Sequence, residues 1–408
     1  MNVFSKAYCR CYQKGMFVAA KFLDFGHAPV IQGHDCVAQL IEYMLRAHLR
    51  RPFVVVDPAL QENEGVSIIH YELKKAGLRP TFFYDVVPNP TFTSIEHAAD
   101  KYVSFTCDCF IAIGGGSSID LAKAAALKVA YPKKRLSHFK GLLHVHRRLP
   151  TLIAIPTTAG TGSEATLAAV VLDEERKDKF QIDDPKLIPN LIVFYPRLLA
   201  GLPQKVIAAT GMDALTHAVE AYIGKSNVKS TRNDALLAVK GINEYLVDFQ
   251  KNPDNERLAL AMLDASYHAG KAFTRAYVGY VHALAHALGG TYGTAHGLAN
   301  AVLLPIVLRL YGKSVYKPLS ELADAISLTP PEFSKAEKAL SFIAYIENLN
   351  RRLGLPRQLD HLIQKDDLLG LAWHAMKEGN PLYPVPKLWT KEDFVIALKQ
   401  SDNTWGYR

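Results

Sequence analysis

The chain has 408 residues, 49% of them hydrophobic and 21% charged, a balance that excludes a disordered or fibrous polymer. That length exceeds the size at which one hydrophobic core stops growing, so two domains are expected. The formal net charge of +8 would suit nucleic acid, but the excess sits in Lys6, Arg10, Lys14 and Lys21 and in residues 133–148, with neither aromatic interleaving nor a nucleic-acid motif, so a solvated basic face and no nucleic-acid partner are expected.

Residues 1–23 mix Lys and Arg with Phe4, Tyr8, Tyr12, Phe17, Val18 and Phe22, too interrupted for the apolar core of a secretory signal. They read as an amphipathic helix packed on the body of the protein, at a subunit contact, with reversible membrane contact as the alternative. No uninterrupted run of about 18 apolar residues is seen, so no stable membrane insertion is expected. The cysteines Cys9, Cys11, Cys36, Cys107 and Cys109 are odd in number and include no C-x-x-C pair, which suits reduced thiols in a cytoplasm.

From Arg51 to about Tyr195, short apolar runs (PFVVVD, RPTFFYDVV, CFIAIGGG, LPTLIAIPTT, NLIVFYP) alternate with helical patterns. Such alternation predicts parallel strands joined by crossover helices. After Gly201-Leu202-Pro203 strand-like runs almost vanish, and long Ala- and Leu-rich helical patterns begin at Lys205, Asn233 and Asn255. The expected architecture is an α/β nucleotide-binding domain with a mainly parallel sheet (residues 1–201, of which 1–23 are extra), followed by an all-α metal-binding domain (202–408).

Two loops in the first half have the chemistry of a phosphate cradle. Gly114-Gly115-Gly116-Ser117-Ser118 leaves an apolar strand and enters a helix, so backbone N–H groups can approach a pyrophosphate, with Ser117 or Ser118 as N-cap and donor. Pro156 to Glu164, containing Thr157, Thr158 and Thr161, also leaves a strand and is dense in hydroxyls and glycine. Two such loops at neighbouring strand ends mark one crevice. Asp57 ends the first clear strand, where a carboxylate can accept from the ribose hydroxyls of NAD and repel the extra phosphate of NADP; Asn89 follows the second. Each of these residues taken alone is also an ordinary turn former.

In the second half Asp213 and His217 stand four apart and so share a helix face. His282 and His286 repeat the spacing, and His296 adds another imidazole. A single histidine is more often a satisfied core residue, but several among small Ala and Gly residues point to a metal. Carboxylate and imidazole without thiolate suit Fe(II), Zn(II) or Mn(II). Spacing by itself pairs His282 with His286 as a chelate.

The segments VVPNP, AIGGGSSIDLAKA, IPTTAGTGSEAT, ATGMDALTHAVEAY, HALAHALGG and AHGLANAVLLP resemble, in order, the iron-containing alcohol dehydrogenase family, whose fold is similar to that of dehydroquinate synthase. The resemblance runs from about residue 24 to 310. It implies a nucleotide domain and a helical domain with the active site between them, NAD and Fe(II), with Zn(II) as the alternative ion, a small alcohol or aldehyde substrate, and a homodimer. It further implies Asp213, His217, His282 and His296 as metal ligands, with His286 beside the nicotinamide. Asp57, Asn89, Gly114, Gly115, Gly116, Ser117, Asp120, Thr157, Thr158, Thr161 and Lys179 correspond to coenzyme positions. Two stretches depart from the family pattern: residues 1–23 and the proline-rich Asn380-Pro381-Leu382-Tyr383-Pro384-Val385-Pro386. A lyase of the dehydroquinate synthase type would need Lys and Arg around the metal, and none lies inside the ligand motifs. A peripheral binding protein without turnover is the other alternative, and the intact ligand set argues against it.

Overall fold

The apolar runs of the first half become strands buried on both faces, as parallel strands covered by helices must be. The computed structural model describes residues 3–22, 25–26 and 28–406. A parallel six-stranded sheet contains β1 (Val30–Gln32), β2 (Pro52–Val56), β3 (Thr81–Phe83), β4 (Cys109–Gly114), β6 (Thr151–Pro156) and β9 (Leu191–Phe194), in the order β1-β9-β6-β4-β2-β3. Every residue of β2, β4 and β9 is buried. A smaller sheet, β5-β8-β7, joins β5 (Gly141–Leu142) to the antiparallel pair β7 (Ala168–Asp173) and β8 (Asp178–Asp183). Helices α1 (Val3–Ala19), α2 (Cys36–Arg46), α3 (Glu64–Lys75), α4 (Phe92–Ser104) and α5 (Gly116–Ala130) precede or alternate with the strands. The core under α4 and α5 includes Phe53, Phe110, Tyr102 and Phe83.

Beyond residue 201 the chain is helical: α6 (Gln204–Ile223), α7 (Lys229–Lys251), α8 (Glu256–Ala276), α9 (Tyr280–Tyr292), α10 (His296–Tyr311), α11 (Tyr316–Ala325), α12 (Lys335–Arg352), α13 (Leu368–Gly379) and α14 (Lys391–Ser401). Helix α6 is buried all along from Gly211 to Ile223, which marks it as a core helix and not a surface one. Pro305 lies inside α10 and offers no N–H to the carbonyl four residues earlier. Asn350 of α12 supplies the missing donor, its Nδ2 lying 2.7 Å from Ala301 O.

The expected division of the chain needs correction at two points. The chain divides into an α/β unit, residues 28–201 with 253–263, and a helical unit, residues 3–22, 202–252 and 264–406. The N-terminal helix therefore belongs with the helical unit, because Arg10 and Gln13 bond to carbonyls of residues 381–386. Residues 253–263 join the α/β unit, where Glu256 accepts from Arg197 and Asp254 from the Gly201 N–H. By length and composition alone, the helical stretch His296–Ala325 is long and apolar enough to cross a membrane. Its apolar window is 61% buried inside the protein, and α10 packs on α6, α9, α12 and α14.

Candidate active site

In the α/β unit the loops meet as the strand order requires. β2, β4 and β6 are adjacent, so Asp57, the glycine loop and the threonine loop leave neighbouring strands on the same sheet edge. The Thr157 N–H bonds to Gly114 O at 3.1 Å, and Thr158 and Thr161 close over Gly115 and Gly116. A Cβ on Gly114 would fall 2.2 Å from Ser118 Oγ, so part of the demand for glycine is this close packing. Gly115 is the N-cap of α5 and no side chain caps the helix, which corrects the N-cap role expected of Ser117 or Ser118. Ser118 Oγ is buried with no hydrogen-bond partner among the described residues.

Helix α5 grips the threonine loop from below. Lys123, fully buried, donates from Nζ to Ser163 O at 2.7 Å, Thr166 O at 2.8 Å and Ala168 O at 2.8 Å. Asp120 Oδ1 accepts from Ser163 Oγ at 2.6 Å, and Oδ2 from the Val170 N–H at 3.1 Å. The contacts of Asp120 are thus with the protein's own loop. Burial pulls the Lys123 ammonium down to about 8 and pushes the Glu164 carboxyl up to about 7. Asp57 Oδ1 caps a short helical turn through the Ala59 N–H at 3.0 Å. Asn89 is exposed with a φ of 53° on the loop after edge strand β3, the turn-former geometry. Lys179 is exposed on β8, across from Leu172.

The helical unit gathers the other predicted residues. Asp213 and His217 project from one face of α6, and His282 comes from α9; one ligand atom from each of the three lies within 4.8 Å of the others, and all are buried. His296 opens α10, its Nε2 3.5 Å from Asp213 Oδ1 and its side chain 38% exposed. Gly297 permits this approach, since a Cβ there would lie 2.2 Å from Ala209 O of α6. The rings pack closely: His217 stacks on Phe273 and His282 at 4.1 and 4.5 Å, and His286 stacks on His296 at 5.0 Å. His286 thus lies beside His296, and among the described residues the close ligand group comprises Asp213, His217 and His282 without it.

Three polar residues that the sequence reading missed organise this cluster. Glu220, buried, accepts from His282 Nδ1 at 2.6 Å and from the Gly279 and Val281 N–H groups at 2.8 Å each, at the start of α9. A carboxylate on Nδ1 fixes the proton there, so the Nε2 lone pair of His282 faces Asp213 at 3.7 Å. Asn300, one turn after His296, donates from Nδ2 to Asp213 Oδ1 at 2.6 Å and lies 3.1 Å from His296 Nε2. Glu378 accepts from His286 Nδ1 at 2.7 Å and from Tyr383 Oη at 2.8 Å. Glu220 and Asn300 follow His217 and His296 at helical spacing, which is a signal of sorts. Glu378 lies 92 residues from His286, and no local pattern points to it.

The donor set fits a divalent cation. Burial pushes the Asp213 carboxyl up to about 7, opposed chiefly by the Asn300 amide, and holds His282 well below the usual imidazole range. A buried carboxylate facing imidazole lone pairs is costly without a compensating positive charge. Carboxylate with imidazole, and no cysteine, suits Fe(II) or Zn(II).

Comparison with known proteins agrees with both halves of this architecture. Residues 28–196 match the iron-containing alcohol dehydrogenase family, and residues 207–401 match the C-terminal domain of the Fe-containing alcohol dehydrogenase family. The chain is 32% identical over 370 residues to the NAD-dependent methanol dehydrogenase of Bacillus methanolicus, covering 90% of this chain and 97% of that one. A solved 1,3-propanediol oxidoreductase superposes with a TM-score of 0.88 at 32% identity, covering 93% of this chain and all of the other. A sulfoacetaldehyde reductase from Bifidobacterium kashiwanohense, solved with NAD+, has a TM-score of 0.82 at 25% identity over 94% of this chain and 99% of that one. The chain belongs to the iron-containing alcohol dehydrogenase family, metal-dependent oxidoreductases that move a hydride between NAD(H) and small alcohols or aldehydes.

Proposed function

We propose that Asp213, His217, His282 and His296 hold one divalent cation, Fe(II) with Zn(II) as the alternative, and that His286 is the catalytic residue beside the nicotinamide. The observation that carries this reading is the convergence of the buried Asp213, His217 and His282 ligand atoms within 4.8 Å. When bound, the cation supplies Lewis-acid polarisation of the substrate oxygen and NAD accepts or gives the hydride. Glu220 keeps the proton of His282 on Nδ1, and Asn300 restrains the free rotation of the Asp213 carboxylate. With Nδ1 turned to Glu378, His286 keeps Nε2 as its basic nitrogen and can take the alcohol proton there.

On the coenzyme side, Gly114, Gly115, Gly116, Ser117, Thr157, Thr158 and Thr161 would cradle the pyrophosphate and its neighbours. Asp57 would accept from the ribose, so Asp57→Gly should narrow the preference for NAD over NADP. Asn89, Asp120 and Lys179 would have supporting roles, Asp120 through the loop it holds. The substrate is a small alcohol or aldehyde. All five cysteines are free thiols, which supports a reducing compartment such as the cytoplasm, and a homodimer is the assembly to look for by light scattering.

The deciding experiment is metal analysis of protein purified without chelator, alongside His286→Ala and His296→Ala. We expect about one ion per chain in the wild type, normal metal with lowered turnover in His286→Ala, and lost metal in His296→Ala. The reverse pattern would restore the chelate that spacing alone suggests.

A further inference from the structure

Helix α1 and the proline-rich residues 380–386, the second of which lies inside the family match, are bonded to each other. Gln13, 6% exposed, donates from Nε2 to Pro381 O at 3.1 Å and Tyr383 O at 2.7 Å. Arg10 donates to Val385 O at 2.8 Å and Pro386 O at 3.1 Å, and to Gln13 Oε1 at 2.8 Å. Prolines at 381, 384 and 386 deny this segment the N–H groups with which a strand or helix would satisfy its own carbonyls. Two side chains of α1 satisfy four of those carbonyls. The N-terminal family match begins at residue 28, so α1 lies outside the matched residues while the carbonyls it holds lie inside them.

The segment in turn reaches the site. Tyr383, 5% exposed, donates to Glu378 Oε1, the same oxygen that accepts from His286 Nδ1. Asn380 Oδ1 accepts from Tyr280 Oη at 2.9 Å, two residues before His282. We infer that α1 is a positioning element for the active site: Arg10 and Gln13 fix residues 381–386, Tyr383 on that segment holds Glu378, and Glu378 sets the ring orientation and tautomer of His286. The inference rests on the role of His286 proposed above. Arg10, Gln13 and Tyr383 are positioning residues and touch no reacting atom.

The test is a double-mutant cycle on the full-length holoenzyme. Arg10→Met with Gln13→Ala is compared in the wild-type and His286→Ala backgrounds, with Tyr383→Phe as a milder variant that keeps the ring and removes one hydroxyl. Turnover, metal content and hydrogen exchange of residues 378–390, the last also on metal-free protein, are measured. We expect faster exchange across 378–390, unchanged metal, and turnover lowered about ten-fold in the wild-type background, the scale of a small misplacement of a reacting group. In the His286→Ala background the same changes should cost almost nothing further, because groups acting through one residue are not additive. A merely structural helix would lower turnover by the same factor in both backgrounds, and that result overturns the inference. So does unchanged exchange or unchanged turnover in both Arg10/Gln13 and Tyr383 variants. Full turnover in His286→Ala alone would instead bring down the role of His286, and the inference with it.

Discussion

The two units build their sites by different means. In the α/β unit the proposed coenzyme crevice is built from loops at the ends of β2, β4 and β6, with glycines and hydroxyls packed against one another. In the helical unit the site is made of side chains from α6, α9 and α10, and the backbone serves only to bring them together. Backbone sites tolerate many sequences provided the loops keep their shape, whereas a ligand constellation fails with one side chain. The restraining residues differ accordingly: Lys123 holds carbonyl oxygens, while Glu220 and Asn300 hold side-chain atoms of His282 and Asp213.

If that contrast is right, Asp213→Ala and His217→Ala should have the largest effects, reducing activity to background and weakening metal binding by more than about a hundred-fold. Metal analysis with a dehydrogenase assay checks it, and full activity in either variant without bound metal would dissolve the distinction. Next in size is Glu220→Gln. An amide can turn its NH2 toward His282 Nδ1 and so move the proton to Nε2, which removes a lone pair from the cluster. Metal affinity should fall about 10–100-fold, measured by titration of metal-free protein, while NAD affinity stays as in the wild type.

Lys123→Met addresses the other unit. It strips the donor from three carbonyls, two of them buried, and should weaken NAD binding about ten-fold, as loop order is lost, with a lower melting temperature and unchanged metal content. Calorimetry of NAD binding and metal analysis on one preparation separate the two effects; a loss of metal here would show that the units are not independent in this respect.

The smallest effect concerns pH. Burial raises Glu164 to about 7, above the ordinary carboxyl value, so the folded state holds the proton more tightly than the unfolded chain. The resulting stabilisation is complete below about pH 4.5 and is lost as pH rises through about 7. Glu164→Gln should therefore flatten the fall in unfolding free energy between pH 5 and 7, by an amount on the order of 1–2 kcal/mol, read from denaturant melts at each pH. Identical slopes for the variant and the wild type would remove Glu164 as a cause.

What could be read from the sequence follows the same division. Strands β2, β4, β6 and β9 announce themselves as continuous apolar runs because both faces are covered. β1, only three residues and partly exposed, and the β7–β8 pair, half apolar and joined by Glu174 to Lys177, carry too little pattern. Asp213 and His217, His282 and His286 are legible since helical spacing places them on common faces. Glu378 and Tyr383 are not, because their contacts to His286 are set by tertiary packing alone. The placement of α1 was missed for a related reason: its partners are carbonyls more than 360 residues away, and carbonyls leave no mark in a sequence.

Pro305 and Asn350 present the opposite case, a pair whose physics ought to be visible in descent. The proline leaves Ala301 O open and the Asn350 amide fills it from a helix 45 positions on. A lineage that replaced Pro305 with a residue bearing an N–H would close the bond within α10 and strand a buried amide, while one that lost Asn350 first would leave a carbonyl open in the core. Either order passes through a destabilised intermediate, so the two positions should change together or not at all, and an alignment of relatives would record them as a coupled pair.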